Sequence, residues 1–99
     1  MNIETGTPVL VTTAHRGVFF GRFSGWCDDD RKHIALMGAR NCSYWSKDVR
    51  GFLGLAATGP TGGCRVGPKA DIPELKDVTS VALATPEATE KWEAGPWQS

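Results

Sequence analysis

The spacing of apolar and polar positions shifts along the chain from the alternation of strands to the wider period of helices and back. Residues 7–14 are rich in β-branched side chains around Val9, Leu10 and Val11 and predict a first strand, with Pro8 tolerated at its start. His15-Arg16-Gly17 predicts a tight turn in which Gly17 takes positive φ. Residues 18–24 then return antiparallel, with Phe19 and Phe23 on one face and Val18, Phe20 and Arg22 on the other. Gly21 interrupts this strand where a bulge or bend is expected. Beyond the polar loop 28–32, residues 33–38 predict a third strand. Residues 40–45 either continue it or form a fourth.

The period then widens. Val49, Phe52, Leu53 and Ala56 fall at i, i+3, i+4 and i+7, one face of a helix, with Ser46 or Asp48 as cap and Gly59-Pro60 as stop. Gly51 and Gly54 each weaken this helix by roughly 1 kcal/mol, so it needs tertiary packing, and they let another backbone approach closely. Residues 58–63 read as a flexible loop, Cys64-Arg65-Val66 as a short strand, and residues 76–84 as a last strand around Val78, Val81 and Leu83. Thr85-Pro86-Glu87 carries a capping hydroxyl, a first-turn proline and an early acid. These predict a closing helix that runs to about Trp92.

The 99 residues predict one domain spanning the whole chain. Eleven basic and eleven acidic side chains cancel, and the basic ones are scattered, which argues against extended nucleic acid as a partner. No apolar run approaches the ~20 residues of a membrane span, and residues 1–5 lack the basic start and apolar stretch of a signal peptide. Three cysteines without short spacing fit reduced thiols, so a cytoplasmic location is expected.

Residues 39–46 carry the strongest candidate chemistry. Arg40 can fork two donors onto a phosphate, Tyr44 or Trp45 can stack on a base, and Asn41 and Ser43 can hydrogen-bond. In a straight strand Arg40, Cys42 and Tyr44 share one face. The competing reading puts Trp45 in the core and pairs Arg40 with a carboxylate such as Asp48. Arg65, after the Gly-rich loop, is a second candidate cation, and that loop offers backbone donors but lacks the ending of a P-loop. His15, His33 and the cysteines show no paired metal-ligand spacing, and residues 28–30 lack the glycine and distal Glu of a calcium loop. No metal, cofactor or catalytic residue is therefore assigned. Four tryptophans suggest more aromatic surface than one small core buries.

Taken together, Gly17-Val18-Phe19-Phe20-Gly21, Ala39-Arg40, Tyr44-Trp45-Ser46, the Leu55-Ala56 helix end, Cys64-Arg65, a strand in residues 71–81, Thr85-Pro86-Glu87-Ala88 and Pro96-Trp97 form a pattern. It resembles a family of small single-domain proteins carried by bacteriophages and prophages. The resemblance spans residues 8–97, and its most specific parts are residues 40–46 and Cys64-Arg65. It implies a phage context. Small phage proteins without enzymatic motifs often inhibit host defence, and one class acts as a sponge for a cyclic nucleotide or cyclic ADP-ribose alarm signal, often as an oligomer.

The resulting expectation is an α+β, mainly β fold. It is a small, strongly bent antiparallel β-barrel of about five strands, SH3-like, with one helix inserted after the fourth strand and another at the C-terminus. The expected function is non-catalytic sequestration of a small nucleotide-type signal in the host cytoplasm by a homo-oligomer, with Arg40, Asn41, Ser43, Tyr44, Trp45 and Arg65 as ligand-binding residues. On that reading Arg40→Ala abolishes binding and spares stability. The alternative is a protein-interaction module that blocks a host protein or joins a phage assembly, with an exposed patch including Trp92 and Trp97. An enzyme, which would need His15 or His33 beside the arginines, ranks third.

Overall fold

The computed structural model describes residues 3–14, 17–45, 47–61 and 63–94; His15, Arg16, Ser46 and Trp97, and with them the first turn and one expected helix cap, lie outside the described residues. Six strands and two helices follow in chain order. They are β1 (Pro8–Thr13), β2 (Val18–Trp26), β3 (Ile34–Tyr44), α1 (Gly51–Ala57), β4 (Arg65–Val66), β5 (Ala70–Leu75), β6 (Val78–Leu83) and α2 (Pro86–Ala94). A single 3-10 turn, Lys47–Val49, precedes α1. The first two strands pair as the alternation requires, Leu10 opposite Phe20 and Thr12 opposite Val18.

All six strands join one antiparallel sheet in the order β4-β3-β2-β1-β6, with β5 also pairing β3. Ile72 and Leu75 of β5 pack into the same cluster as Val78 and Val81 of β6, together with Val9, Val11, Phe23 and Leu36. Two strands at opposite ends of the sheet can share a cluster only if the sheet curls, so the strong bend is present. The closed barrel is not. The ladder ends at β6 on one side and at β5 and β4 on the other, although only Lys76 and Asp77 separate β5 from β6. At Asp77 (φ 59°) the carbonyl accepts the Ala14 N–H at 2.9 Å and the next N–H, of Val78, donates to the Lys32 carbonyl at 2.8 Å, so the turn leads β6 to β1 and not back along β5.

The opposite face carries the helices. Leu10, Val18, Phe20 and Cys42 meet Leu55 and Ala56 of α1 and Ala88 and Trp92 of α2. Trp92 is fully buried, its ring stacked on Phe20 at 5.4 Å, and its indole N–H donates to the Leu55 carbonyl at 3.1 Å. Its burial corrects the expectation of an exposed Trp92 patch; Trp26 and Trp45 are half-buried as well.

The two helices form for different reasons. At α2 the Thr85 hydroxyl accepts the Ala88 N–H (3.0 Å) and donates to the Ala57 carbonyl (2.7 Å), so the cap also fastens α2 to the end of α1. At α1 no side chain caps, and Arg50 and Gly51 both take positive φ (63° and 75°). This break rotates the helix relative to Val49. Leu55 and Ala56 turn inward while Leu53, expected on the buried face, is 69% exposed. Because residues 34–44 form one strand, this helix follows the third strand rather than a fourth. The apolar pattern places a last strand at residues 76–84 and the resemblance one at residues 71–81; the structure has two strands there, β5 and β6, and in β5 Pro73 and two acids interrupt the apolar pattern. Strand β5 pairs on an edge, with Pro73 at a register shift, where a missing N–H is tolerated.

Candidate functional site

Strand β3 positions Arg40, Asn41, Ser43 and Tyr44, with Trp45 just past its end and Arg65 on β4, and one extra residue in β3 decides which way its side chains point. Phe20 pairs Arg40 and Arg22 pairs Met37, so β3 carries an additional residue at Gly38-Ala39 opposite Gly21. Gly38 takes positive φ (57°), and Gly21 leaves room for Leu36 and Ala39, whose atoms lie 3.1–3.4 Å from where its Cβ would stand. The bulge reverses the alternation. Ile34, Leu36 and Ala39 face the curled interior, whereas Arg40 and Cys42 face the helices.

Arg40 is consequently 6% exposed. Its Nε donates to the Gly67 carbonyl at 2.7 Å and its Nη1 to the Trp92 carbonyl at 2.9 Å. The Trp92 carbonyl belongs to the last turn of α2, where carbonyls lack intrahelical partners and a cation complements the helix dipole. Among the described side chains no carboxylate lies within ion-pair range of Arg40, and burial lowers its pKa. The side chain of Asp48, the partner of the competing reading, lies outside the described residues; the ion pair that is described joins Arg22 to Glu93, at 2.8 Å. Arg40 thus ties β3 to the segment after β4 and to α2, and it does not open onto the surface beside Tyr44. Its two partners among the described residues were illegible in the sequence because both are backbone carbonyls.

Ser43, Tyr44 and Arg65 are brought together. Tyr44 pairs Arg65 across the β3–β4 ladder, and the three residues line an open groove of about 560 Å³. Tyr44 is 55% exposed, and Ser43 and Arg65 are also exposed. Among the described residues, neither the Tyr44 hydroxyl nor the Arg65 guanidinium has a hydrogen-bond or ion-pair partner. The groove thus offers a cation, an aromatic face and a hydroxyl to a ligand. Asn41 is exposed, and its carbonyl accepts the Gly67 N–H at 2.9 Å. Trp45 packs against the helix-side core rather than lining the groove.

The neighbouring candidates fall elsewhere. The 58–63 loop begins with Gly59 pressed against α2, where a Cβ would stand 3.0 Å from Lys91 Cβ and 3.1 Å from Ala88 Cα, so its first residues are packed rather than an open cradle. His33 sits before β3 and accepts the Asp77 N–H at 3.4 Å on Nδ1. Nine strand residues, Ile34 to Cys42, lie between it and Ser43, roughly 30 Å along the strand, which takes it out of the groove. Cys42 and Cys64 are buried in the helix-side core and Cys27 is exposed. Burial, with the adjacent Cys64, pushes the Cys42 thiol up to about 11. No group of three or more His, Cys, Asp or Glu among the described residues could hold a metal ion, and no helix there is long and apolar enough to cross a membrane.

No curated protein and no solved structure matches the chain. A family model, described as a domain of unknown function, does match it, over residues 6–92. That span takes in the sheet, α1, the groove and α2 as far as Trp92, and the chain belongs to the DUF6948 family.

Proposed function

We propose that the groove lined by Ser43, Tyr44 and Arg65 binds a small anionic ligand of nucleotide type and holds it without turnover. The observation that carries this reading is the cross-strand Tyr44–Arg65 pair, exposed together and without a partner for either polar end among the described residues. An arginine can take a phosphate bidentately while an aromatic face stacks on a base. Arg40 enters the proposal as the residue that positions β4, and Arg65 as the phosphate-binding cation. The resemblance to phage-borne proteins extends the proposal to sequestration of a cyclic nucleotide or cyclic ADP-ribose signal in a host cytoplasm. The strand order β6-β1-β2-β3-β5 supports reading the curled sheet as SH3-like, left open between β5 and β6.

The test is thermal unfolding against a panel of cyclic dinucleotides, cyclic trinucleotides and cyclic ADP-ribose isomers. A ligand at a hundred times its dissociation constant stabilises the native state by about 2.7 kcal/mol. The expected result is a shift for one class, lost in Arg65→Ala and Tyr44→Ala, with intact ligand recovered after denaturation. Altered ligand would indicate an enzyme. No shift across the panel would refute the proposal and favour a protein partner.

A further inference from the structure

We propose that the outer edge of β6 pairs with β6 of a second copy of the chain, antiparallel and about a two-fold axis. The three strands that end the sheet differ in how they are guarded. β4 is two residues long, and β5 carries Pro73, Asp71, Glu74 and register shifts, devices that discourage pairing with another chain. β6, Val-Thr-Ser-Val-Ala-Leu over Val78–Leu83, has no charge and no proline, and its one register shift lies near its start, between the pairings of Thr12 and Thr13.

The existing ladder fixes which groups β6 presents. The Ala84 N–H donates to the Pro8 carbonyl at 3.0 Å, so in the alternation of an antiparallel pair Ala82 and Ser80 also turn their backbone groups to β1. Val81 and Leu83 therefore turn theirs outward. A two-fold axis through Ala82 lets Val81 and Leu83 exchange both hydrogen bonds with Leu83 and Val81 of a second copy. An alanine at the axis suits the close approach of a non-hydrogen-bonded pair. An uncharged strand meets no like charge when paired with itself, and the contact is isologous, so it closes at two copies. Leu83 is 55% exposed, and its side chain would lie beside Val81 of the second copy.

The experiment is sedimentation velocity of the full chain across a concentration series, with amide exchange at Val81 and Leu83 in parallel. A reversible dimer is expected, with both amides protected more strongly as concentration rises. Leu83→Pro removes an outward N–H at an exposed edge position and leaves the bonds to β1, so it should yield a folded monomer. Leu83→Lys keeps the backbone intact and should weaken association about tenfold, which preserves the test if the proline variant fails to fold. A wild type that stays monomeric at every concentration overturns the proposal. A dimer that survives in both variants overturns it equally.

Discussion

Arg40→Ala should lower the thermal midpoint of the protein, because Arg40 holds the backbone carbonyls of Gly67 and Trp92 from β3. Read as a ligand clamp, Arg40 is expendable for stability. Read from its contacts, it is a tie between three segments. Truncation removes two charge-assisted hydrogen bonds, to the carbonyls of Gly67 and Trp92, each worth about 1.5–3 kcal/mol. Relief of the desolvation of a buried guanidinium offsets part of that loss. A net loss of about 3 kcal/mol is expected, and a chain of this length converts each kcal/mol into roughly 4–8 °C, so the midpoint should fall by about 10–25 °C. The assay is circular dichroism melting with tryptophan emission, because undocking α2 would expose Trp92. Arg40→Met separates volume from hydrogen bonding, and Arg40→Lys should recover part of the loss, since one ammonium cannot reproduce the fork. An Arg40→Ala midpoint equal to wild type would refute the structural role and restore the ligand-clamp reading.

Gly54→Ala should destabilise by more than about 2 kcal/mol in the same melts, although alanine in a helix usually gains about 1 kcal/mol over glycine. A Cβ at Gly54 would run into the Val49 carbonyl oxygen, so a neutral or stabilising result would contradict the backbone approach at α1. The Cys42 thiol, raised from 9.0 to about 11 by burial and by Cys64, gives a pH dependence. The unfolded chain deprotonates first. Its contribution to stability is therefore complete below about pH 9 and is lost as pH rises toward about 11, near 1.4 kcal/mol per unit. Urea midpoints between those pH values should decline less steeply in Cys42→Ala, and an unchanged slope would rule out the buried thiol as the cause.

Local pattern was enough to place β1, β2 and α2. Alternation marks the two strands, and Thr85, Pro86 and Glu87 mark the helix start through bonds made within a few residues. Tyr44 and Arg65 were each legible as candidates from their residue types, but their pairing was not, because it is made by the β3–β4 ladder. Strand β5 was not legible in the apolar pattern, since its apolar residues are sparse and its pairing with β3 is what holds it extended. On the expected face of α1, Val49 and Ala56 are buried and Phe52 packs on the core, but Leu53 is exposed and Leu55 is buried in its place, after left-handed backbone at Arg50 and Gly51 that side-chain spacing does not encode.

The sequence by itself determined the mainly β character and the closing helix, and it singled out polar and aromatic residues in and after β3 as candidates without fixing where they point. Only the tertiary structure decided their roles. A single extra residue at Gly38-Ala39, accommodated because Gly21 opposite has no side chain, turns Arg40 toward the carbonyls of Gly67 and Trp92 and leaves Ser43 and Tyr44 at the surface with Arg65. A strand's alternation is local, but the position of a bulge depends on the partner strand and on what the two faces bury. That is a long-range choice, and it separates a buried arginine, Arg40, from an exposed one, Arg65.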